Sequence, residues 1–439
     1  MLFDLIEECK KIIAINTAGS AGTRRLVEHL VPYCRALGFR VFFQSPDNGP
    51  AADLNLIAHT QAEGAPDLCP QGLAMVTHLD TVPAGDRSLW TETGGDPYRA
   101  TIQGDKIYGL GSADTKLDFL CKLLAIEQVG LQNVTVPVVL VGTFGEERSL
   151  AGARLLLDGA LMKPKFALIG EPCELKAVVA HKGILYMRAV FRSEGAQGLA
   201  PPQTRHFHGR AAHGSMPHLG ENAVEKAIRW LMAEWNVEAT EIDGGVAHNI
   251  VPDSCRLSYV ASEGPGPRVR FLKSFIDAID RARLFLATHR NPSFDPPHTT
   301  GNIGVIRTHA DGTVEIEFDY RLIPETDSEA LFSIFEKIGA SVPGAAVEEI
   351  RSNRPLNTPP DSEIVRRVGD AQEACGLARA FVVKSGNTEG AIFHDMGAQA
   401  VITGPGRAVG NIHAPNEHNE ISQLKKAVEF YTAFLRRFC

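Results

Sequence analysis

No uninterrupted apolar stretch in this chain approaches the roughly 20 residues a membrane-spanning helix needs, which excludes a helical membrane protein. A basic excess is missing too. Lysine and arginine total 44 against 52 aspartate and glutamate, a net charge of −8. That balance argues against nucleic acid or an anionic membrane surface as the main partner. The eight cysteines, at 9, 34, 69, 121, 173, 255, 375 and 439, form no CxxC pairs. Most sit in apolar segments such as Phe119–Leu124, as expected of reduced thiols acting as small hydrophobes in a cytoplasmic setting. Short-period repeats and low-complexity tracts are absent as well. The first residues, Met1 to Thr17, carry Asp4, Glu7, Glu8, Lys10 and Lys11 among apolar residues at helical spacing. They read as an amphipathic helix rather than a signal peptide.

What is present is alternation. At 439 residues the chain exceeds one ordinary core, so two domains are expected. Helix periodicity over Leu26–Leu37 and Lys116–Gln128 alternates with strand-length apolar runs at Leu54–His59, Gly72–Thr77, Val136–Thr143 and Phe166–Gly170. This predicts an α/β domain with a mainly parallel central sheet. After Glu171 the pattern changes. Strands are predicted at Leu185–Arg192, Val246–Val251, Arg256–Ala261, Asn302–Arg307 and Val314–Leu322, with helices at Asn222–Glu234, Val269–Thr288 and Ser328–Gly339. That mixture fits a separate α+β sandwich, punctuated by Gly/Pro-rich loops at Glu194–Pro202, Glu263–Pro267 and Asn291–Pro297. From about Arg354 the α/β style returns, with a helix at Glu363–Gly376, a strand at Ala398–Thr403 and a final helix at Gln423–Phe438. The simplest layout is one domain interrupted by another.

Acidic and imidazole residues cluster where the apolar strands end. His78 and Asp80 follow Gly72–Thr77, Glu146 and Glu147 follow Val136–Thr143, and Glu171 follows Phe166–Gly170. Asp114 lies in a Gly-rich turn before a helix, and His413 follows Gly404-Pro-Gly. Taken singly, an HxD pair is usually structural, a Glu-Glu pair is usually a solvated edge, and an Asp before a helix is usually an N-cap. Taken together they fall in the loops beyond strand C-termini, where open α/β sheets bind ligands. Carboxylates and imidazoles gathered there suit a borderline ion such as zinc, with positions left for water.

The local wording is more specific. Thr77-His-Leu-Asp-Thr-Val-Pro83, Gly109-Leu-Gly-Ser-Ala-Asp-Thr-Lys116, Phe144-Gly-Glu-Glu147, Ile169-Gly-Glu-Pro172 and Asn411-Ile-His-Ala-Pro-Asn-Glu417 stand in this order. Gly209-Arg-Ala-Ala-His-Gly-Ser-Met-Pro217 and His248-Asn-Ile-Val-Pro-Asp253 lie in the interrupting segment. Together they resemble the co-catalytic zinc amidohydrolases and metallopeptidases that include acetylornithine deacetylase, succinyl-diaminopimelate desuccinylase, aminoacylase and carboxypeptidase G. The resemblance covers nearly the whole chain. It implies a zinc-exopeptidase-like catalytic domain at 1–177 and 353–439, interrupted by an α+β sandwich lid of the dimerisation type at 178–352. It also implies two divalent metal ions, zinc first, with cobalt or manganese as alternatives. By this resemblance Asp114 bridges both ions, His78 and Glu171 complete one site, and Glu147 and His413 complete the other. Asp80 would hydrogen-bond the far nitrogen of His78. Glu146 would be the general base toward a metal-activated water. His213 would donate to the oxyanion, often from a partner subunit in the family. Asn249 would line the substrate site, and Arg321 would grip a substrate carboxylate. An ion pair of Arg321 with Asp319 or Asp253 is the competing reading. Thr388 and Glu389, in Ser385-Gly-Asn-Thr-Glu-Gly390, resemble a further substrate-binding loop.

Three departures mark this chain. Lys116-Leu117 stands where Lys-Gly is usual, residues Glu194 to Phe207 enlarge the loop before the His213 motif, and a long segment with a helix and the Asn302–Ile306 strand precedes Arg321. The enlarged lid is similar in outline to that of monomeric dipeptidases of the same clan. It leaves a homodimer and a monomer both open, and makes His298 a rival oxyanion donor. The implied activity is hydrolysis of a small N-acyl amino acid, since Ile169-Gly-Glu-Pro172 and Ala180-His-Lys-Gly183 look most like the deacetylase branch. A carboxypeptidase or dipeptidase acting on a dipeptide is the alternative. An inactive binding homologue would lack a ligand or the base, and all of these are present.

Overall fold

The computed structural model describes residues 2–47, 52–62, 68–192, 201–234 and 236–439. They fall into two compact units. The first comprises Met1–Ala180, Leu356–Val383 and Thr388–Cys439; the second comprises His181–Pro355 together with Lys384–Asn387.

In the first unit the strands Val138–Thr143, Leu73–His78, Phe166–Gly170 and Gln399–Ile402 run parallel, as the apolar runs predict. Asn55–His59 joins them antiparallel. These strands form the centre of a nine-stranded sheet among the described residues. Side-chain alternation divides the apolar residues between two cores. Leu73 and Met75 face a core that includes Leu120 and Phe430, whereas Ala74 and Val76 face one that includes Leu156 and Phe393. Burial on both faces explains why these segments read as continuous apolar runs. The helix Lys116–Val129 is buried on nearly every side and packs against the C-terminal helix Ile421–Leu435. At the N-terminus, the Asp4 carboxylate caps the helix Leu5–Ile13 by accepting from the amides of Ile6 and Glu7.

The second unit contains a seven-stranded antiparallel sheet among the described residues. Its order is Gln203–His208, Ser254–Ala261, Val237–Gly244, Thr300–Thr308, Val314–Leu322, Gly183–Phe191 and Ala345–Asn353. The helices Ala223–Ala233, Pro267–Leu286 and Ser328–Ser341 share one apolar core with this sheet. Two expectations are corrected here. Val246–Val251 is a turn with a single bridge from Ile250 to His213, and Val246 is exposed. The strand lies upstream, at Val237–Gly244, where acidic residues hid the alternation. Of the predicted loop Glu194–Phe207, residues 194–200 lie outside the described residues, and Gln203–His208 is a polar edge strand. An edge strand's exposed faces need no apolar residues, so it leaves little hydrophobic signal.

Candidate metal centre

The parallel strands deliver the acidic and imidazole residues at their C-terminal ends. His78 closes the strand Leu73–His78, and Glu171 follows Phe166–Gly170. After Val138–Thr143 the chain reverses through Gly145, whose φ of +67° suits a residue without a Cβ. That turn opens the short helix Glu146–Ser149 and sets Glu146 and Glu147 side by side. Asp114 arrives from the turn before the helix Lys116–Val129, and His413 from the loop before the strand His418–Glu420.

The donor atoms of Asp114, Glu147 and His413 converge to within 4.8 Å of one another, and so do those of His78, Glu146 and Glu147. Asp114 faces both histidines. Its Oδ1 lies 3.0 Å from Nε2 of His78, and its Oδ2 lies 3.3 Å from Nε2 of His413. His413 also reaches the Glu147 carboxylate at 3.0 Å. Glu171 is buried and stands outside both trios, although its charge acts on Glu146.

Burial and crowded charge shift Asp114, His78, Glu146, Glu147 and His413. Burial works against ionised Asp114, but hydrogen bonds and charge from His413 and His78 outweigh it and hold the pKa low. Hydrogen bonds to Asp114 and Glu147 raise His413 to about 11. Burial opposes the His78 imidazolium, yet Asp114, Glu146 and Asp80 hold it well above the usual value. For Glu146, burial reinforced by the carboxylates of Glu171, Glu147 and Glu389 pushes the pKa well up, against the pull of His78. So many carboxylates sharing one small volume is the condition that bound cations relieve.

Residues behind the cluster hold it in place. Nδ1 of His78 meets the backbone carbonyl of Asp80 at 3.2 Å, while the Asp80 carboxylate stands 3.7 Å away. That carboxylate instead accepts from the amides of Glu146 and Glu147, at 3.1 and 3.3 Å. Asp80 therefore ties the His78 strand end to the Glu146–Glu147 turn. Glu417 is fully buried and accepts from the amides of Ala113 and Asp114 at 2.8 and 3.0 Å. Its positioning role went unread in the sequence, although it closes the Asn411–Glu417 motif. Glu389 has no exposed surface and accepts from Thr143 at 2.9 Å, with its pKa raised to about 7 chiefly by burial. Thr388 beside it is buried too. Lys116 packs inward with its Nζ 3.1 Å from the carbonyl of Ile15, and Leu117 enters the apolar core where glycine is usual.

The remaining predicted residues belong to the second unit. Nδ1 of His213 lies 2.7 Å from the Ser215 hydroxyl, and burial together with the Arg321 charge lowers its pKa. The Asn249 carbonyl accepts from the Gly214 amide at 2.7 Å, which joins the two motif loops. Beside it, His248 stacks on Tyr186 at 4.2 Å. Arg321 forms an ion pair of 2.9 Å with the buried Asp319, whose pKa burial raises to about 6 despite the guanidinium.

Mixed imidazole and carboxylate donors at this spacing fit divalent ions of borderline character. The model of Peptidase family M20/M25/M40 matches residues 74–437. The chain belongs to this family. It is therefore a metallohydrolase acting on amide bonds. The acetylornithine deacetylase of Pectobacterium carotovorum subsp. carotovorum (strain PC1) is 27% identical over 439 residues, covering 98% of this chain and 94% of the relative. Among solved structures, an aminoacylhistidine dipeptidase from Vibrio alginolyticus aligns with a TM-score of 0.70 at 16% identity, covering 99% and 96% of the two chains. An M20 family metallo-carboxypeptidase from Sulfolobus solfataricus aligns with a TM-score of 0.64 at 18% identity, covering 99% of each chain. These M20 structures share the fold, a catalytic domain with a mainly parallel sheet plus a lid domain. No helix among the described residues is long and apolar enough to cross a membrane.

Proposed function

We propose that this M20 enzyme removes the acyl group from N-acyl amino acids, with the first unit as catalytic domain and the inserted unit as lid. The placement of Asp114 carries the reading, because its two oxygens face two histidines from different loops. Asp114 would help hold both ions, one together with His78 and Glu171, the other together with Glu147 and His413. Zinc is the first expectation for both. Bound there, the ions would supply an acidified water and polarise the amide carbonyl.

The chain's own residues complete the reaction. Glu146 accepts the proton of the attacking water and passes it to the departing amine. Asp80 fixes the Glu146 turn through the two amides it accepts. Glu389 supports the centre from behind, through Thr143. From the lid we assign His213 to the tetrahedral oxyanion, Asn249 to the substrate's polar groups and Arg321 to its carboxylate, and from the catalytic domain Thr388 to the substrate's polar groups. The homodimer remains the assembly in which His213 would serve a partner copy.

Similarity over nearly the full length to a deacetylase favours deacylation. The dipeptidase and carboxypeptidase structures support the second reading, cleavage of dipeptides by the same centre. A panel of N-acetyl amino acids and dipeptides separates the two. Turnover of acetylated amino acids is expected, and hydrolysis of dipeptides alone would discard the deacylase assignment. With the best substrate, Arg321→Lys should raise KM by about tenfold with little change in kcat, because a lysine loses the bidentate geometry. An unchanged KM would confine Arg321 to its ion pair with Asp319.

A further inference from the structure

The inserted unit contains a cavity of about 430 Å³ whose lining residues all belong to that unit. Ile279, Leu286, Ile303 and Tyr320 give it an apolar floor. Ile303 pairs with Phe318, and Gly301 with Tyr320, all on the sheet face that packs against the helices. Asp319 and Arg321 alternate to the opposite face. Thr300 and Asn302, the register partners of Arg321 and Asp319, also line the cavity, but neither Arg321 nor any member of the candidate metal centre does.

Its rim is cationic. Glu225 is already engaged by Arg283 and Arg229, each at 2.8 Å, and Arg229 also pairs with Asp280 at 2.6 Å, so these four charges offset one another. Arg290 and His218 also line the cavity, and neither side chain has an ion pair or hydrogen bond among the described residues. Nδ1 of His298 is buried without a hydrogen-bond partner. Lys182 donates to the His298 carbonyl at 2.9 Å and adds an ammonium nearby, partly offset by Asp295. Burial, then the neighbouring Lys182 and Arg290 charges, hold the His298 imidazole below its usual pKa. A buried polar atom left unpaired is costly, so it favours a ligand group beside it. An apolar floor beneath a few convergent basic groups is the usual construction of a small-molecule site, and the volume lies in the usual range.

We propose that this cavity binds a small amphipathic carboxylate, its apolar body on Ile279, Leu286 and Ile303 and its carboxylate against Arg290 and His298. The test titrates 3-phenylpropanoate into the metal-loaded, full-length enzyme by isothermal calorimetry, with 3-phenylpropanol as neutral control. Saturable binding of the acid is expected, with the alcohol at least about tenfold weaker. Arg290→Gln should weaken the acid by a similar factor and leave hydrolysis unchanged. Ala287→Phe, which adds bulk at the exposed rim, should abolish binding without altering the far-UV circular dichroism. Absence of saturable binding, equal affinity for acid and alcohol, or an Arg290→Gln affinity equal to wild type would each overturn the site. The last result would mean that the carboxylate binds only at the metal centre.

Discussion

Glu146→Gln should reduce amide hydrolysis by at least about 10²–10⁴-fold, the range lost with a general acid–base group. The amide of glutamine matches the carboxylate in shape, so the turn fixed by Asp80 through the amides of Glu146 and Glu147 should persist. Metal content should persist as well, because Asp114, Glu147 and His413 retain their convergent donors. What is lost is the acceptor of a proton. Burial and three neighbouring carboxylates already raise the proton affinity of Glu146, which suits it to hold a proton during the reaction and then release it. Steady-state kinetics and elemental analysis on the same preparation check both parts. Unchanged turnover would remove Glu146 from the base position. Loss of metal together with activity would make it a ligand instead.

Asp118→Ala should destabilise the first unit by about 3–5 kcal/mol, the usual cost of stranding one member of a buried ion pair. Lys122 and Asp118 lie within the helix Lys116–Val129, are almost completely buried, and approach to 2.6 Å. Thr77 donates to the same carboxylate at 2.7 Å, Tyr431 donates to its other oxygen, and Lys122 donates to the carbonyl of Val76 at 2.6 Å. A Cβ on Gly170 would fall 2.0 Å from Asp118 Oδ2, so this network lies directly beneath the strand end that leads to Glu171. Thr77 likewise precedes His78. Removing the carboxylate leaves an ammonium buried without its counter-charge, whereas the double change Asp118→Leu with Lys122→Met removes both charges and should recover most of the loss. Hydrogen exchange across Lys116–Val129 reports on this unit separately from the inserted one. If Asp118→Ala leaves that protection unchanged, the pair contributes little to holding the strand ends.

The strands carrying the candidate metal centre were legible because burial on both faces imposes a local apolar run, and a local run is visible in one dimension. The convergence of His78, Asp114, Glu147 and His413 could be anticipated from motifs at those strand ends. The Asp118–Lys122 pair could not. A charged pair one helical turn apart normally signals a solvated face, and only the packing of Ile421–Leu435 against that helix shows that no solvent reaches it. Asp80 shows a related gap. Its proximity to His78 is evident from two residues of separation, but its bonds to the amides of Glu146 and Glu147 depend on tertiary approach. In the inserted unit, Val246–Val251 misled because apolar content stood in for alternation, while the strand Val237–Gly244 was masked by its own carboxylates.

The tetrapeptide Lys384–Asn387 belongs to the inserted unit, although the residues on either side of it belong to the first. Asn387 accepts from the side chain of Asn353 at 2.7 Å, so the short segment is tied to the end of the long one. The inserted unit is therefore not a removable cassette with a single entry and exit. A chimaera that exchanged only 181–355 with a relative would leave the four native residues Lys384–Asn387 against a foreign scaffold, immediately before Thr388 and Glu389. Exchanging the inserted unit for that of a relative requires both segments to travel together.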